Sequence, residues 1–144
     1  MAPEKRMARL RDAGVTPTMQ RLAILEYLEG TKSHPTADEV YAALHETCPT
    51  IARATVYNTL DLLVESGLIS KYTFGENRAR YERAFGRQRH DHLICLECGN
   101  ITEFVNEELG RIEHEVSSEH HFVSQSATFQ IFGICKVCRQ SRRS

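Results

Sequence analysis

RHDHLICLECG, residues 89–99, places two imidazoles, a carboxylate and two thiols close together in the chain. His90 and His92 stand two residues apart, so in a β-strand both rings leave the same face, at positions about 7 Å apart along the backbone. Cys95 and Cys98 follow with the C-x-x-C spacing of a metal-binding knuckle. The stretch therefore predicts a strand and turn that supply metal ligands.

A second C-x-x-C pair, Cys135 and Cys138, lies near the carboxyl end. With Cys95 and Cys98 it gives the ligand set of a closed tetrahedral zinc site, which stabilises a fold and leaves no position for a substrate. A thioredoxin-like redox role would need a βαβ context that the sequence lacks. The fifth cysteine, Cys48, is expected to be a small buried residue, with a reactive thiol as the alternative.

Composition limits the choice of fold and compartment. A chain of 144 residues with 8% aromatic residues and no Trp suits two small cores better than one large core. The net charge of −1 means that any DNA-binding face must come from the placement of Lys and Arg. No apolar run suits a membrane span and the first residues have no signal-peptide core, so we expect a cytoplasmic protein without a membrane partner.

Three helices are predicted in the first part of the chain. Residues 3–13 form a helix whose cationic side, which includes Arg6, either contacts phosphates or is simply solvated. A second helix runs from Thr18 to Gly30, and residues 36–39 (TADE) are a capping box that opens a third. His34 precedes that box, where a histidine alone would be an ordinary exposed loop residue.

A fourth helix follows Pro49 and ends at Gly67. Its inner stripe is predicted to contain Val56, Leu60, Leu63 and Val64, and the first turns carry polar side chains on the outside. This arrangement is typical of the recognition helix of a helix-turn-helix protein, which meets phosphates and base edges in the major groove. The outer residues are Arg53, Thr55, Tyr57, Asn58 and Thr59.

Two strands, residues 68–74 and 78–83, are predicted to form a hairpin around the turn Gly75-Glu76-Asn77. Helices followed by a hairpin indicate a winged helix-turn-helix. Cations on the wing either approach the DNA backbone or serve solubility. They are Lys71, Arg78 and Arg80.

The polar segment 84–89 lacks a periodic apolar pattern, so we place a hinge there between a DNA-binding domain, 1–83, and a second domain, 90–144. The second domain is expected to contain strands at 90–95 and 101–105, a helix from 107 to 120, and strands at 122–123 and 127–134. The fold class is therefore α+β, a winged helix-turn-helix followed by a small α/β dimerisation domain with an antiparallel sheet. The last strand has apolar side chains on both faces, from Phe129, Ile131 and Phe132. One of these two faces is expected to pack against another subunit.

A second group of candidate ligands combines residues from both predicted domains. His90 and His92 share a strand face, Glu103 can lie on the neighbouring strand, Glu82 ends the wing, and His34 lies in the first domain. Nitrogen and carboxylate ligands suit iron(II), manganese(II) or zinc(II). From spacing alone, these residues either bridge the domains through one ion or are scattered over the surface.

Several stretches taken together resemble the ferric uptake regulator family of metal-dependent repressors. They are TMQRLAIL (18–25), HPTADEVY (34–41), ATVYNTL (54–60), HDHLICLECG (90–99) and FGICKVC (132–138). The resemblance implies a homodimer that binds palindromic double-stranded DNA, a structural zinc on the four cysteines, and no enzymatic activity. It also implies a regulatory Fe²⁺ or Mn²⁺, or Zn²⁺ in purified protein, on His34, Glu82, His90, His92 and Glu103. DNA contacts are then expected from Arg21, Arg53, Thr55, Tyr57, Asn58, Thr59, Lys71 and Arg78.

Departures from the family pattern leave the branch open. Arg89 and Ala127 stand where many iron-sensing members have histidines of a further metal site, so Asp91 is expected to face solvent or to support a ligand. Residues 25–28 and the pair Tyr57-Asn58 look more like the peroxide-sensing branch, in which iron oxidises a ligand histidine, here His34 or His90. That branch commonly has aspartates where this chain has Glu82 and Glu103, and Ala52 replaces the usual Ser or Gly cap.

Three other functions remain open at this point. Zinc sensing is a further branch of the family. A zinc-dependent hydrolase would need an open metal beside a pocket or nucleophile, and the sequence signals neither. A zinc-stabilised protein-interaction module would bind no duplex in a salt-dependent way.

Overall fold

The computed structural model describes residues 2–75 and 78–142, and the chain divides into two compact units, Met1–Arg87 and Gln88–Ser144. The first unit contains α1 (Pro3–Asp12), α2 (Met19–Gly30), α3 (Ala37–Thr47), α4 (Arg53–Glu65), β1 (Ile69–Tyr72) and β2 (Arg80–Arg83). The second contains β3 (Asp91–Cys95), β4 (Ile101–Phe104), α5 (Glu107–Glu119), β5 (Gln130–Gly133) and α6 (Lys136–Arg142). No helix within the described residues is both long and apolar enough to cross a bilayer.

The helices of the first unit begin and end where local chemistry directs. The predicted capping box is confirmed, because the Thr36 side chain accepts from the Glu39 N–H and Glu39 reaches back to the cap. Ala52 gives α4 no such side-chain bond, as its lack of a hydroxyl predicts. Gly67, at φ 80°, takes the left-handed conformation that stops α4.

Apolar side chains from all four helices and the hairpin fill the core of the first unit. Leu25, Val40, Leu60 and Leu63 are 0% exposed. The predicted inner stripe of α4 is confirmed, with Val64 partly buried against the core, but the outer position predicted for Thr59 was wrong, because Thr59 is 7% exposed. The helix turns Thr59 onto the same side as Val56 and Leu63, since positions three or four apart share a face.

The prediction that the cationic side of α1 is free for phosphates or solvent was wrong for Arg6. Arg6 is 8% exposed, and its Nε lies 2.9 Å from Glu29 Oε2 in α2. A buried guanidinium beside a carboxylate joins the two helices instead of facing solvent. Arg9 lies 4.0 Å over the ring of Phe85, so it too packs against the protein.

The hairpin is shorter than predicted. Phe74 is 3% exposed and packs edge-on against His34, which draws the chain away from the ladder after Tyr72. Gly75 has φ 78°, as a tight turn requires. The other predicted turn residues, Glu76 and Asn77, lie outside the described residues. Arg78 precedes β2 and is exposed.

The sheet of the second unit has the order β4-β3-β5. The pairing of β3 with β4 is antiparallel as predicted, but β3 and β5 are parallel, so the sheet is mixed. The long connection through α5 allowed either direction for β5, which an alternating pattern cannot reveal. The strand predicted at 122–123 was wrong, because Phe122 and Val123 are 71% and 87% exposed and lie outside the strands. Helix α6 was not predicted, since residues 136–142 carry no apolar stripe.

Candidate metal centres and nucleic-acid interface

Four cysteines converge in the second unit. Cys95 ends β3, Cys98 lies in the turn after it, Cys135 precedes α6 and Cys138 lies within α6. Their sulfurs all lie within 4.8 Å of one another. The distances Cys95 Sγ to Cys138 Sγ and Cys98 Sγ to Cys135 Sγ are both 3.8 Å. With zinc–sulfur bonds of about 2.3 Å, the sulfurs of a regular tetrahedron are about 3.8 Å apart. The cluster therefore has the dimensions of a closed four-thiolate zinc site.

The backbone around Cys95 favours a thiolate. The N–H groups of Cys98 and Cys135 donate to Cys95 Sγ at 3.5 and 3.3 Å, and these two bonds lower the pKa of Cys95 to about 6. The pKa of Cys138 is raised to about 12, first by its hydrogen bond with the Cys135 thiol and then by burial. Four neighbouring thiols resist joint ionisation without a cation, which is the condition that a bound Zn²⁺ relieves.

His34 and Glu82 meet inside the first unit. His34 Nε2 lies 3.0 Å from Glu82 Oε2, and both residues are 6% exposed. Arg87 Nη1 donates to the same carboxylate oxygen at 2.9 Å. Burial and then the negative charge of Glu82 raise the pKa of Tyr72 to about 12, so the tyrosine keeps its proton beside the carboxylate.

The expectation of an exposed loop for a lone histidine at position 34 was wrong. The loop lies along β2: Arg80 Nη1 donates to the His34 carbonyl at 3.0 Å, and the Tyr81 N–H donates to the Pro35 carbonyl at 2.9 Å. His34 itself has φ 53°, a left-handed conformation that the surrounding bonds stabilise. These contacts turn its ring inward beside Glu82.

His90, His92 and Glu103 come together in the second unit. The rings of His90 and His92 are 5.1 Å apart between centroids, and His92 is opposite Glu103 across β3 and β4. His90 Nε2 lies 3.9 Å from Glu103 Oε1, and His90 Nδ1 lies 3.1 Å from the Gln88 carbonyl. Since a carbonyl only accepts, Nδ1 carries a proton in this contact, and Nε2 is the nitrogen directed towards Glu103 that could bind a metal.

Of the two expectations for Asp91, the position facing solvent was wrong, because Asp91 is 2% exposed. Its Oδ1 accepts from the Phe129 N–H at 2.9 Å, and Arg89 Nε lies 3.4 Å from its Oδ2. Arg89 also donates to Glu113 at 2.6 Å, and Ser124 donates to the other oxygen of Glu113 at 2.5 Å. The guanidinium thus supplies positive charge between two carboxylates, and this network fixes the start of β5 and the loop before it.

The candidate DNA-binding side chains differ in exposure. Arg53, Tyr57 and Asn58 are exposed on the first turns of α4, Thr55 is half-buried, and Thr59 has little surface left. Lys71 and Arg78 are exposed on the hairpin. Arg21 is half-buried and donates to the Thr16 carbonyl at 2.7 Å.

One residue on this surface was not singled out from the sequence. Asp38, in the first turn of α3, accepts from both Arg53 and Tyr57. Nothing in a capping-box pattern reveals that its third residue contacts another helix, so no sequence signal could have identified this role.

A winged helix-turn-helix unit joined to an α/β unit with clustered cysteines and histidine–carboxylate pairs defines a metal-responsive transcription regulator. The model of the Ferric uptake regulator family matches residues 12–132. The chain belongs to this family, as its motifs predicted, and the predicted α+β class is confirmed.

Individual relatives agree with this assignment. The peroxide-responsive repressor PerR of Staphylococcus aureus (strain USA300) is 39% identical over 136 residues, which span 94% of this chain and 90% of that protein. The ferric uptake regulator of Pseudomonas aeruginosa with manganese has a TM-score of 0.78 at 30% identity, over 91% of this chain and 98% of that one. The Helicobacter pylori regulator Fur, whose structure reveals three functional metal binding sites, also has a TM-score of 0.78, at 26% identity over 96% and 95% of the two chains.

Proposed function

We propose that this protein is a homodimeric repressor that binds palindromic operators when Fe²⁺ or Mn²⁺ occupies a regulatory site. The ligands would be His34, Glu82, His90, His92 and Glu103. A structural Zn²⁺ on Cys95, Cys98, Cys135 and Cys138 would stabilise the second unit. Residues 1–83 would bind DNA, 84–89 would serve as the hinge, and 90–144 would form the dimer.

The observation that carries this proposal is that the five candidate ligands gather in two sets, one in each unit. In the first unit His34 Nε2 lies within 3.0 Å of a buried carboxylate. In the second unit His92 is 1% exposed and pairs with Glu103 across two strands. Imidazole nitrogens and carboxylate oxygens are suitable donors for Fe²⁺, Mn²⁺ and Zn²⁺.

The side chains have separable tasks in this mechanism. Glu82 and Glu103 would neutralise the charge of a divalent cation, and the histidines would bind through their unprotonated nitrogens. A bound ion would select the arrangement of the two units in which all five ligands reach it. Because binding equilibria are linked, operator DNA would then tighten metal binding by the same factor as metal tightens DNA binding.

DNA contacts are proposed for Arg21, Arg53, Thr55, Tyr57, Asn58, Thr59, Lys71 and Arg78. The exposure of Arg53, Tyr57 and Asn58 on α4 supports a position in the major groove. Thr59, at 7% exposure, could contribute only an edge of its side chain.

The test is a His90→Ala substitution. We expect metal-dependent binding to an operator, selected by the wild-type protein from random duplexes, to disappear while the dimer and its zinc content remain. His114→Ala, which alters an exposed histidine of α5, is the matched control and should bind as the wild type does. Unchanged binding by His90→Ala would remove the proposed regulatory site.

The same measurement repeated with iron, manganese and zinc separates the branches. If the protein binds its operator only with zinc, it senses zinc, and the proposal of iron or manganese is wrong. Hydrolysis of generic esters or phosphates, or failure to bind any duplex, would favour the hydrolase and the protein-interaction module respectively.

Peroxide sensing is the second candidate, because the Staphylococcus aureus relative is a peroxide-responsive repressor. If iron at the regulatory site oxidises a ligand, His34 or His90 should gain one oxygen atom after treatment with Fe²⁺ and hydrogen peroxide. Peptide mass spectrometry would detect this gain, and the manganese-loaded protein is the control. An unmodified iron-loaded protein would favour plain iron sensing.

A further inference from the structure

Asp38 connects the two helices of the helix-turn-helix on their outer surface. Its Oδ1 accepts from the hydroxyl of Tyr57 at 2.5 Å and from Nη1 of Arg53. The guanidinium of Arg53 also lies 4.5 Å over the ring of Tyr41 in α3. One carboxylate oxygen therefore orders two of the side chains that are proposed to meet DNA.

All three partners lie on the surface. The side chains of Arg53 and Asp38 are 58% and 64% exposed, and Tyr57 is 39% exposed. An ion pair at this exposure stabilises a fold only slightly. Asp38 lies in the first turn of α3, where the helix dipole favours its negative charge. Asp38 therefore places a carboxylate on a face that would approach phosphates.

The hydrogen bond restricts what Tyr57 can offer to DNA. Its single O–H proton is donated to Asp38, so its oxygen can only accept from a further partner. In the major groove, the amino groups of adenine and cytosine are the donors, whereas phosphate oxygens only accept. The bond to Asp38 is also the first cause of a raised pKa for Tyr57, so the hydroxyl keeps its proton.

The negative charge of Asp38 also makes Arg53 less available to phosphates. A phosphate must compete with Asp38 for the guanidinium and is repelled by the carboxylate. Because the pair is exposed, a neutral base-edge acceptor that receives a hydrogen bond from Arg53 can replace it at little cost. Asp38 should therefore weaken the binding of random DNA most, because random DNA is bound mainly through phosphates.

We propose that Asp38 is a specificity-determining residue that holds Tyr57 as a hydrogen-bond acceptor and lowers the affinity of Arg53 for phosphates. Asp38 acts through these two side chains and needs no DNA contact of its own. The inference rests on the proposed DNA-binding function and names a determinant of its selectivity.

The test compares Asp38→Asn with the wild type on two duplexes, an operator selected by the wild-type protein from a random pool and a scrambled duplex of the same composition. We expect affinity for the scrambled duplex to rise about threefold to tenfold and its salt dependence to steepen by about one phosphate contact. The ratio of operator to scrambled affinity should fall by about tenfold. A ratio within threefold of the wild type, or above it, overturns the inference.

Two further variants separate this role from net charge and from folding. Glu46→Gln removes one exposed carboxylate from the same helix, at its far end, and should leave the ratio unchanged. Asp38→Glu retains the charge and the hydrogen-bond acceptor, so its ratio of operator to scrambled affinity should lie between those of Asp38→Asn and the wild type. An equal change in Glu46→Gln and Asp38→Asn would contradict the inference.

The hydrogen bond itself is tested by Tyr57→Phe in both backgrounds. Tyr57→Phe should lower operator affinity more when Asp38 is present than in Asp38→Asn, and equal losses would contradict the inference. If the wild-type protein selects no duplex under iron, manganese or zinc, the proposed function fails together with this inference. If it selects an operator and Asp38→Asn keeps the ratio, only the inference fails.

Discussion

The two units differ in how they bury apolar surface. In the first unit, Leu25, Leu60 and Leu63 are completely buried in a closed core. In the second unit, Ile94 and Cys95 are the buried apolar residues among those described, whereas Phe129 and Ile131 remain more than 40% exposed. A small fold with so little core needs cross-links or a partner. The first unit is therefore built by packing, and we expect the second to depend on zinc and on another copy of the chain.

The largest effect that would sharpen this comparison is expected from Cys95→Ser. Structural zinc contributes about 10–16 kcal/mol of apparent binding free energy in zinc-finger peptides, so removing one ligand should unfold the second unit and leave the first intact. Zinc analysis and hydrogen exchange resolved by unit would measure this, with Cys48→Ser as control. Full zinc content in Cys95→Ser would contradict the four-cysteine site.

Leu60→Ala tests the other side of the comparison. Loss of a completely buried leucine should lower the free energy of unfolding of the first unit by about 2–5 kcal/mol. Zinc content should not change, because the cysteines lie in the second unit. Met19→Ala, at a residue that is 86% exposed, is the control for denaturant unfolding. Equal stability of the two variants would break the comparison.

Ile131→Asp tests whether the exposed face of β5 is covered by a second chain. Ile131 is 43% exposed in a single chain, and a carboxylate buried in an apolar interface is costly. We expect the dissociation constant of the dimer, measured by analytical ultracentrifugation, to rise by about tenfold or more, which corresponds to about 1.4 kcal/mol. Val123→Asp, outside the strands, should leave the dimer intact. A wild-type-like dimer in Ile131→Asp would place the interface elsewhere.

The smallest effect is expected from Ala52→Ser. Residue 52 already has the extended conformation of an N-cap, φ −84° and ψ 145°, but no side-chain bond. A serine hydroxyl could accept from an N–H of the first turn and stabilise the first unit by about 0.5–1 kcal/mol. Thermal unfolding would detect this, and an unchanged or lower midpoint would show that α4 gains nothing from a cap.

Local chemistry made much of the first unit predictable. Thr36 and Glu39 revealed the start of α3, and the spacing of Val56, Leu60 and Leu63 revealed the inner side of α4. The four cysteines could be grouped because zinc ligands come in pairs of fixed spacing. These signals are contained within a few consecutive residues.

The remaining features depend on contacts between distant segments. His34 is buried only because its loop pairs with β2, and Asp91 only because it accepts from Phe129. The parallel direction of β5 has the same origin. No short pattern contains such information, because each contact joins segments that are far apart in the sequence.

Strand β2 has β1 on one edge and the His34 loop on the other. It pairs with β1, contains Glu82, and donates the Tyr81 N–H to Pro35. Ion loading that tightens His34 against Glu82 would therefore reach the hairpin, which is proposed to meet DNA, through one backbone ladder, without rearranging the leucine core. Hydrogen exchange of the Tyr81 amide would then report on the metal: its rate should fall as metal occupancy rises, even before any DNA is added.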